Sequence, residues 1–158
     1  MKGTLKWPLI VAAVVVVSRV VVEQLGAPDA AANLLSVVAL HFLIVPVYLA
    51  VRIAKSAVSR PYATLFKLVV LYVALVRAMV LPTYWLARVY EWPQARFAGL
   101  AGPDVSFFTG FIAIPFATAA FWIFASTIFG GMLGSAVIAI GRRFKVAQTP
   151  SDGPNRTA

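Results

Sequence analysis

Cysteine is absent from this 158-residue chain, and acidic residues are scarce, with five Asp and Glu against fourteen Lys and Arg. Without cysteine the chain forms no disulfide, thiolate metal site or cysteine nucleophile. Its single histidine, His41, excludes a haem held by two histidines of the same chain. The sequence also lacks a phosphate-binding Gly-rich motif, a dinucleotide fingerprint and a cluster with metal-ligand spacing. No cofactor or metal is therefore indicated, and no catalytic residue stands out.

Long apolar runs dominate what is present. Hydrophobic residues reach 61% and charged residues only 12%, whereas soluble domains are about a quarter charged. A helical membrane span needs about 20 mainly apolar residues, and membrane β-strands are shorter and alternate in polarity. The sequence predicts an all-α integral membrane four-helix bundle with spans at residues 7–25, 31–53, 63–86 and 115–140.

The fourth apolar stretch is longer than one span. It runs from Val105 to Ile140, which as a single helix is about 54 Å against a hydrocarbon core of about 30 Å. We expect residues 105–114 to form an interfacial or partly buried lead-in and Pro115 to open or kink the span. A re-entrant segment is the alternative. Residues 1–147 are predicted as one transmembrane domain and residues 148–158 as a disordered cytoplasmic tail.

Basic residues predict the orientation. Most of them lie at the N-terminus, between the second and third spans, and after the fourth, whereas the loop between the first two spans has none. The positive-inside rule then places both termini in the cytoplasm, most plainly at a cell (inner) membrane. Arg142, Arg143 and Lys145, just past the last span, are expected to contact anionic lipid headgroups. Since topology accounts for the net charge of +9, nucleic acid is not a predicted partner.

Ionisable residues inside spans are the best functional indicators in such a sequence. Arg19, His41 and Arg77 fall in the middle or outer half of three different spans. Arg19 either snorkels outward or pairs with Glu23 one turn later. His41 is either a ligand group or a hydrogen-bonded packing residue. Arg77 lies too deep to snorkel and is expected to face protein or water.

Two prolines lie close to these side chains. Pro46 and Pro82 each leave a helical carbonyl without a donor, at the residue that follows His41 and Arg77 respectively. Freed carbonyls in lipid need partners, which nearby polar side chains can supply. The alternative is that the coincidence has no role.

Two further side chains share the helical face of Arg77. Tyr84 and Arg88 follow it at spacings of seven and eleven residues. These side chains either line a polar cleft open to the outside or form a packing stripe.

Small residues recur in the last span, where Gly130, Gly131, Gly134 and Ser135 occur at spacings of four. This pattern lets two helix backbones approach closely and predicts a helix–helix interface. The partner is either another span of the chain or another protein.

The leading functional hypothesis is a non-catalytic accessory, scaffold or assembly subunit of a larger membrane complex, with lipids, other subunits or a second copy as partners. The alternative is a small transporter or lipid-translocating protein whose anionic ligand meets Arg19 and Arg77. An enzyme is the third possibility, and it lacks a recognisable catalytic group.

Overall fold

A computed structural model describes residues 3–100, 102 and 104–147, which are mostly helical and have no strand among them. The elements are α1 (Lys6–Gln24), α2 (Asp29–Leu34), α3 (Leu40–Ala54), α4 (Pro61–Val89) and α5 (Ile114–Ala147). The all-α prediction is confirmed. The tail predicted at residues 148–158 lies outside the described residues.

Three helical stretches are long and apolar enough to cross a membrane, namely Lys6–Gln24, Pro61–Val89 and Thr109–Arg143. Their outward faces carry large exposed apolar side chains, such as Val17 on α1 and Phe124 on α5. Exposed apolar surface of this extent needs a lipid environment or a partner. These helices indicate an integral membrane protein.

The second predicted span differs most from the structure. Residues 31–53 form no single helix, because α2 ends at Leu34 and α3 begins at Leu40. In the break, the Ser36 hydroxyl accepts a hydrogen bond from the Val38 amide at 3.2 Å, a local bond that competes with the helical ladder. Alone, α3 is about 22 Å long, shorter than the hydrocarbon core of about 30 Å.

Each of two prolines near the start of a helix is preceded by a π-helical turn. Leu40–Ile44 opens α3 before Pro46, and Thr109–Ala113 leads directly into α5 before Pro115. Proline lacks an N–H and clashes with the carbonyl four residues back, and a wider turn relieves that conflict.

The start of α5 is therefore continuous with the residues before it. Within the lead-in expected at residues 105–114, the π-helical turn Thr109–Ala113 joins α5 directly, and α5 runs past residue 140 to Ala147. The Trp85 indole donates a hydrogen bond of 2.9 Å to the Phe111 carbonyl, which Pro115 leaves without its helical donor.

The core lies between α3, α4 and α5, with α1 packed against α4. Leu49, Leu65, Val69, Tyr72 and Val73 are fully buried there. This packed layer lies on the side of α4 nearer its N-terminus, and a smaller apolar cluster of Ala87, Phe97 and Leu100 lies near its other end.

Candidate functional site

A cavity of about 230 Å³ lies between α1, α4, α5 and the break between α2 and α3. Its polar lining residues are Arg19, Asn33, Ser36, Arg77, Tyr84 and Arg96. Most of the remaining wall is valine and leucine, with Trp122 from α5. The structure thus brings Arg19, Arg77 and Tyr84, singled out in the sequence, to one site. It adds Arg96, which the sequence did not indicate.

Glu23 connects two of these arginines. Its Oε1 accepts from Arg19 Nε at 2.8 Å and its Oε2 accepts from Arg96 Nη2 at 2.6 Å. The Glu23 side chain is only 2% exposed, and Arg19 reaches further to the Asn33 amide oxygen at 2.9 Å. Of the two alternatives for Arg19, the structure has the pair with Glu23. The two ion pairs of Glu23 connect α1 to the loop that follows α4.

Arg96 lies in a short 3₁₀ turn, Ala95–Phe97, in the loop after α4. Burial lowers the pKa of Arg96, the Glu23 carboxylate raises it, and the charge of Arg19 lowers it further. An arginine stays charged despite such shifts because its ordinary pKa is so high. The described part of the cavity wall contains three arginines and no carboxylate, so its charge is positive even after Glu23 is counted.

Arg77 is held by His41 across the helix interface. Its Nη2 lies 3.2 Å from His41 Nδ1, with Arg77 7% exposed and His41 fully buried. A guanidinium has no acceptor, so Nδ1 accepts and Nε2 carries the ring hydrogen. The guanidinium carbon lies 4.9 Å from the centroid of the Trp122 ring, and the His41 ring meets Tyr72 edge-on at 5.7 Å.

The two side chains near the prolines bind each other. One of the two alternatives paired each of them with a freed carbonyl of its own helix, and the hydrogen bond that the structure has is the one between His41 and Arg77. Two donors on the cavity residues, Arg77 Nε and Arg96 Nε, are buried without a hydrogen-bond partner among the described residues. Buried polar groups of this kind ordinarily have partners.

Arg88 does not share the cavity with Arg77 and Tyr84. Its Nη2 donates to the Val105 carbonyl at 2.9 Å, and its side chain lies against Gly110. Tyr84 lines the cavity and packs edge-on against Phe97 at 5.3 Å.

The small residues of α5 face helices of the same chain. A Cβ added at Gly130 would meet Pro46 and the His41 carbonyl, and one at Gly134 would meet Leu65. Gly131 lies against Phe66, and Ser135 is half-buried. Of the two alternatives for this face, the structure has contacts with other helices of the same chain.

The basic cluster after the fourth predicted span belongs to α5, because the helix continues to Ala147. Arg142 Nη2 donates to the Val58 carbonyl at 3.3 Å and so contacts the α3–α4 loop, whereas Arg143 is exposed. Lys145 lies in the last turns of the helix.

Comparisons with known proteins give no further information on this site. No protein-family model, curated protein or solved structure matches the chain. Within the described ranges, no group of three or more His, Cys, Asp or Glu residues is placed to hold a metal ion. The geometry of the cavity is therefore the basis for a functional proposal.

Proposed function

We propose that this integral membrane protein binds an anionic ligand in the cavity between α1, α4 and α5. The single observation that carries the proposal is that Arg19, Arg77 and Arg96 line the same cavity, with no carboxylate among its described lining residues. Guanidinium groups recognise carboxylates and phosphates through paired N–H donors. This function develops the alternative hypothesis, in which an anionic ligand meets Arg19 and Arg77.

The energetics of Arg77 support this proposal. A charged residue at the centre of a span costs about 2.5–3.5 kcal/mol on insertion scales. Among the described residues, the Arg77 guanidinium contacts the neutral acceptor His41 and the Trp122 ring, and neither carries a compensating negative charge. A bound anion supplies that charge in a medium of low dielectric, where the attraction is stronger than in water.

The proposal includes four membrane segments, with the second formed by α2 and α3 together and with both termini cytoplasmic. The break after Leu34 lines the cavity, and irregular backbone at membrane depth is tolerated where it lines a cavity. The distribution of basic residues supports the orientation. The cavity then opens toward the outer side.

Reporter fusions test this topology. We expect external readings for fusions at Asp29 and Gly99 and a cytoplasmic reading for one at Ser56. A fusion after residue 147 is also expected to read cytoplasmic, and an external reading there would overturn the four-segment arrangement.

Ligand binding is tested on the purified protein in mild detergent, with thermal stability measured against a panel of anions that starts with inorganic phosphate. Arg77→Gln is expected to abolish the anion-dependent rise in stability. The exposed Arg60, at the start of α4, provides the control Arg60→Gln, which is expected to retain it. Equal responses of both variants to every anion would contradict the proposal.

The accessory-subunit hypothesis stays a second candidate, because one observation favours a protein that binds an anion without transporting it across the membrane. On the cytoplasmic side of the cavity, Leu49, Leu65 and Tyr72 form a fully buried layer. A subunit that holds an anion needs no pathway through this layer, whereas a transporter needs a second conformation. Co-purification in mild detergent tests for partner subunits, and anion uptake into vesicles that contain only this chain would favour transport.

A further inference from the structure

The charge balance around the cavity indicates what kind of anion it takes. Arg19, Arg77 and Arg96 line the cavity, and Glu23 is the carboxylate that pairs with two of them. One carboxylate neutralises one charge, so two positive charges are left over. A monoanion, such as a carboxylate or a phosphate diester, would leave one of them uncompensated.

Free donors accompany this surplus charge. Arg77 Nε and Arg96 Nε are buried and have no partner among the described residues, although Nη2 of each is already bonded. Arg77 is also more than nine-tenths buried. A phosphate monoester offers three terminal oxygens and a charge of about −1.5 to −2 at neutral pH. These oxygens suit guanidinium groups that line the cavity from more than one element.

The size of the cavity limits the ligand. A volume of about 230 Å³ lies below the range of about 300–1,000 Å³ typical of drug-sized ligands. It matches a phosphate with a short organic stem. The wall beside the arginines includes Val16, Val38 and Val80, which can cover that stem.

We infer that the cavity between α1, α4 and α5 binds the dianionic head of a phosphate monoester, held by Arg77 and Arg96, an inference that rests on the proposed function. The same chemistry occurs in a soluble phosphate ester and in the headgroup of a monoester lipid.

The test compares matched probes on the purified protein. The soluble set is glycerol 3-phosphate, a glycerol phosphate diester and glycerate. Their affinities are measured by equilibrium binding to the protein in detergent. The lipid set is phosphatidic acid and phosphatidylglycerol in nanodiscs with a neutral lipid background. We expect the monoester of one or both sets to bind about tenfold more tightly than the other members of its set, which corresponds to about 1.4 kcal/mol. Which monoester binds then distinguishes a soluble ligand from a lipid.

The pH dependence gives a second readout. The second pKa of a phosphate monoester is about 6, so its charge falls as pH decreases through that value, whereas a diester keeps one charge. The affinity ratio of monoester to diester is therefore expected to increase between pH 5 and pH 7.5. Taking the ratio on the same protein removes those effects of protein titration that change both affinities equally. Arg96→Gln is expected to lower the ratio of monoester to diester affinity, and Arg60→Gln is expected to leave that ratio unchanged.

The outcomes separate this inference from the proposed function. Diester or carboxylate binding as tight as that of the monoester overturns the inference and leaves anion binding intact. If no anion of either set binds, both are overturned.

Discussion

Gly130 and Gly131 are neighbours on α5, but an added methyl group meets different obstacles at the two positions. At Gly130 a Cβ would lie 2.7 Å from Pro46 Cγ and 2.9 Å from the His41 carbonyl oxygen. The proline ring and the backbone of α3 are both stiff, so neither yields without moving the helix. We expect Gly130→Ala to push α3 and α5 apart.

At Gly131 the obstacle is the ring of Phe66. That side chain is 37% exposed on the outer face of α4 and has room to swing into the surroundings. Gly131→Ala is therefore expected to displace one flexible side chain and no backbone. It provides a matched control, because it makes the same chemical change one residue along the same helix.

The expected magnitudes follow from two opposing effects. Overpacking a well-filled core costs about 1–3 kcal/mol. Replacing a mid-helix glycine by alanine gains about 1 kcal/mol of helix propensity. Gly130→Ala is then expected to lower the free energy of unfolding by up to about 2 kcal/mol, whereas Gly131→Ala is expected to change it little or to increase it by up to about 1 kcal/mol.

Equilibrium unfolding of the purified protein in mixed detergent micelles, titrated with a denaturing detergent, measures both variants. Crosslinking in native membranes is run in parallel, because the contacts within the chain predict an unchanged crosslinking pattern for Gly131→Ala. If Gly130→Ala is as stable as Gly131→Ala but loses crosslinks, the glycine face contacts a partner and the packing described above is refuted.

Three further predictions concern polar residues. Glu23→Gln removes the carboxylate from two ion pairs, so we expect lower stability of the protein but tighter anion binding. Thermal unfolding with and without phosphate measures both effects, and weaker anion binding in a folded variant would contradict the charge balance described for the cavity. His41→Leu leaves the Arg77 guanidinium without its acceptor, and we expect unfolding in detergent to show a free energy of unfolding lower by about 1–3 kcal/mol. An unchanged free energy of unfolding would mean that another group accepts that hydrogen bond. Trp85→Phe removes the donor to the Phe111 carbonyl and is expected to cost about 0.5–1.5 kcal/mol in the same assay, whereas a gain would show that the carbonyl needs no donor.

Hydropathy predicted the helical class and the three long helices because continuous apolar runs are a local signal. It did not predict the break after Leu34. Residues 31–53 are apolar enough on average, but the Ser36 hydroxyl bonds to the Val38 amide and competes with the helix there. Averages over about twenty residues conceal such a local hydrogen bond.

The site was only partly predictable for a related reason. Depth in the membrane singled out Arg19, His41 and Arg77 one by one, but the bond between His41 and Arg77 joins residues 36 positions apart. Arg96 lies in a loop, where a basic residue is unremarkable by composition. One signal could have indicated it: Glu23 lies at the edge of a span and needs a cationic partner when it is buried, and Arg96 is one of the two basic residues between the third and fourth predicted spans.

The π-helical turn of α3 makes the cavity sensitive to chain length as well as to residue identity. Such a turn holds one residue more than an α-helical turn, so the faces before and after Leu40–Ile44 are offset by about 100° from an unbroken α-helix. Deleting one residue there removes the offset and rotates the preceding segment, which carries Ser36 and Val37 of the cavity wall, about the helix axis. A one-residue deletion that removes no cavity-lining residue from the sequence is therefore enough to change which side chains the arginines face.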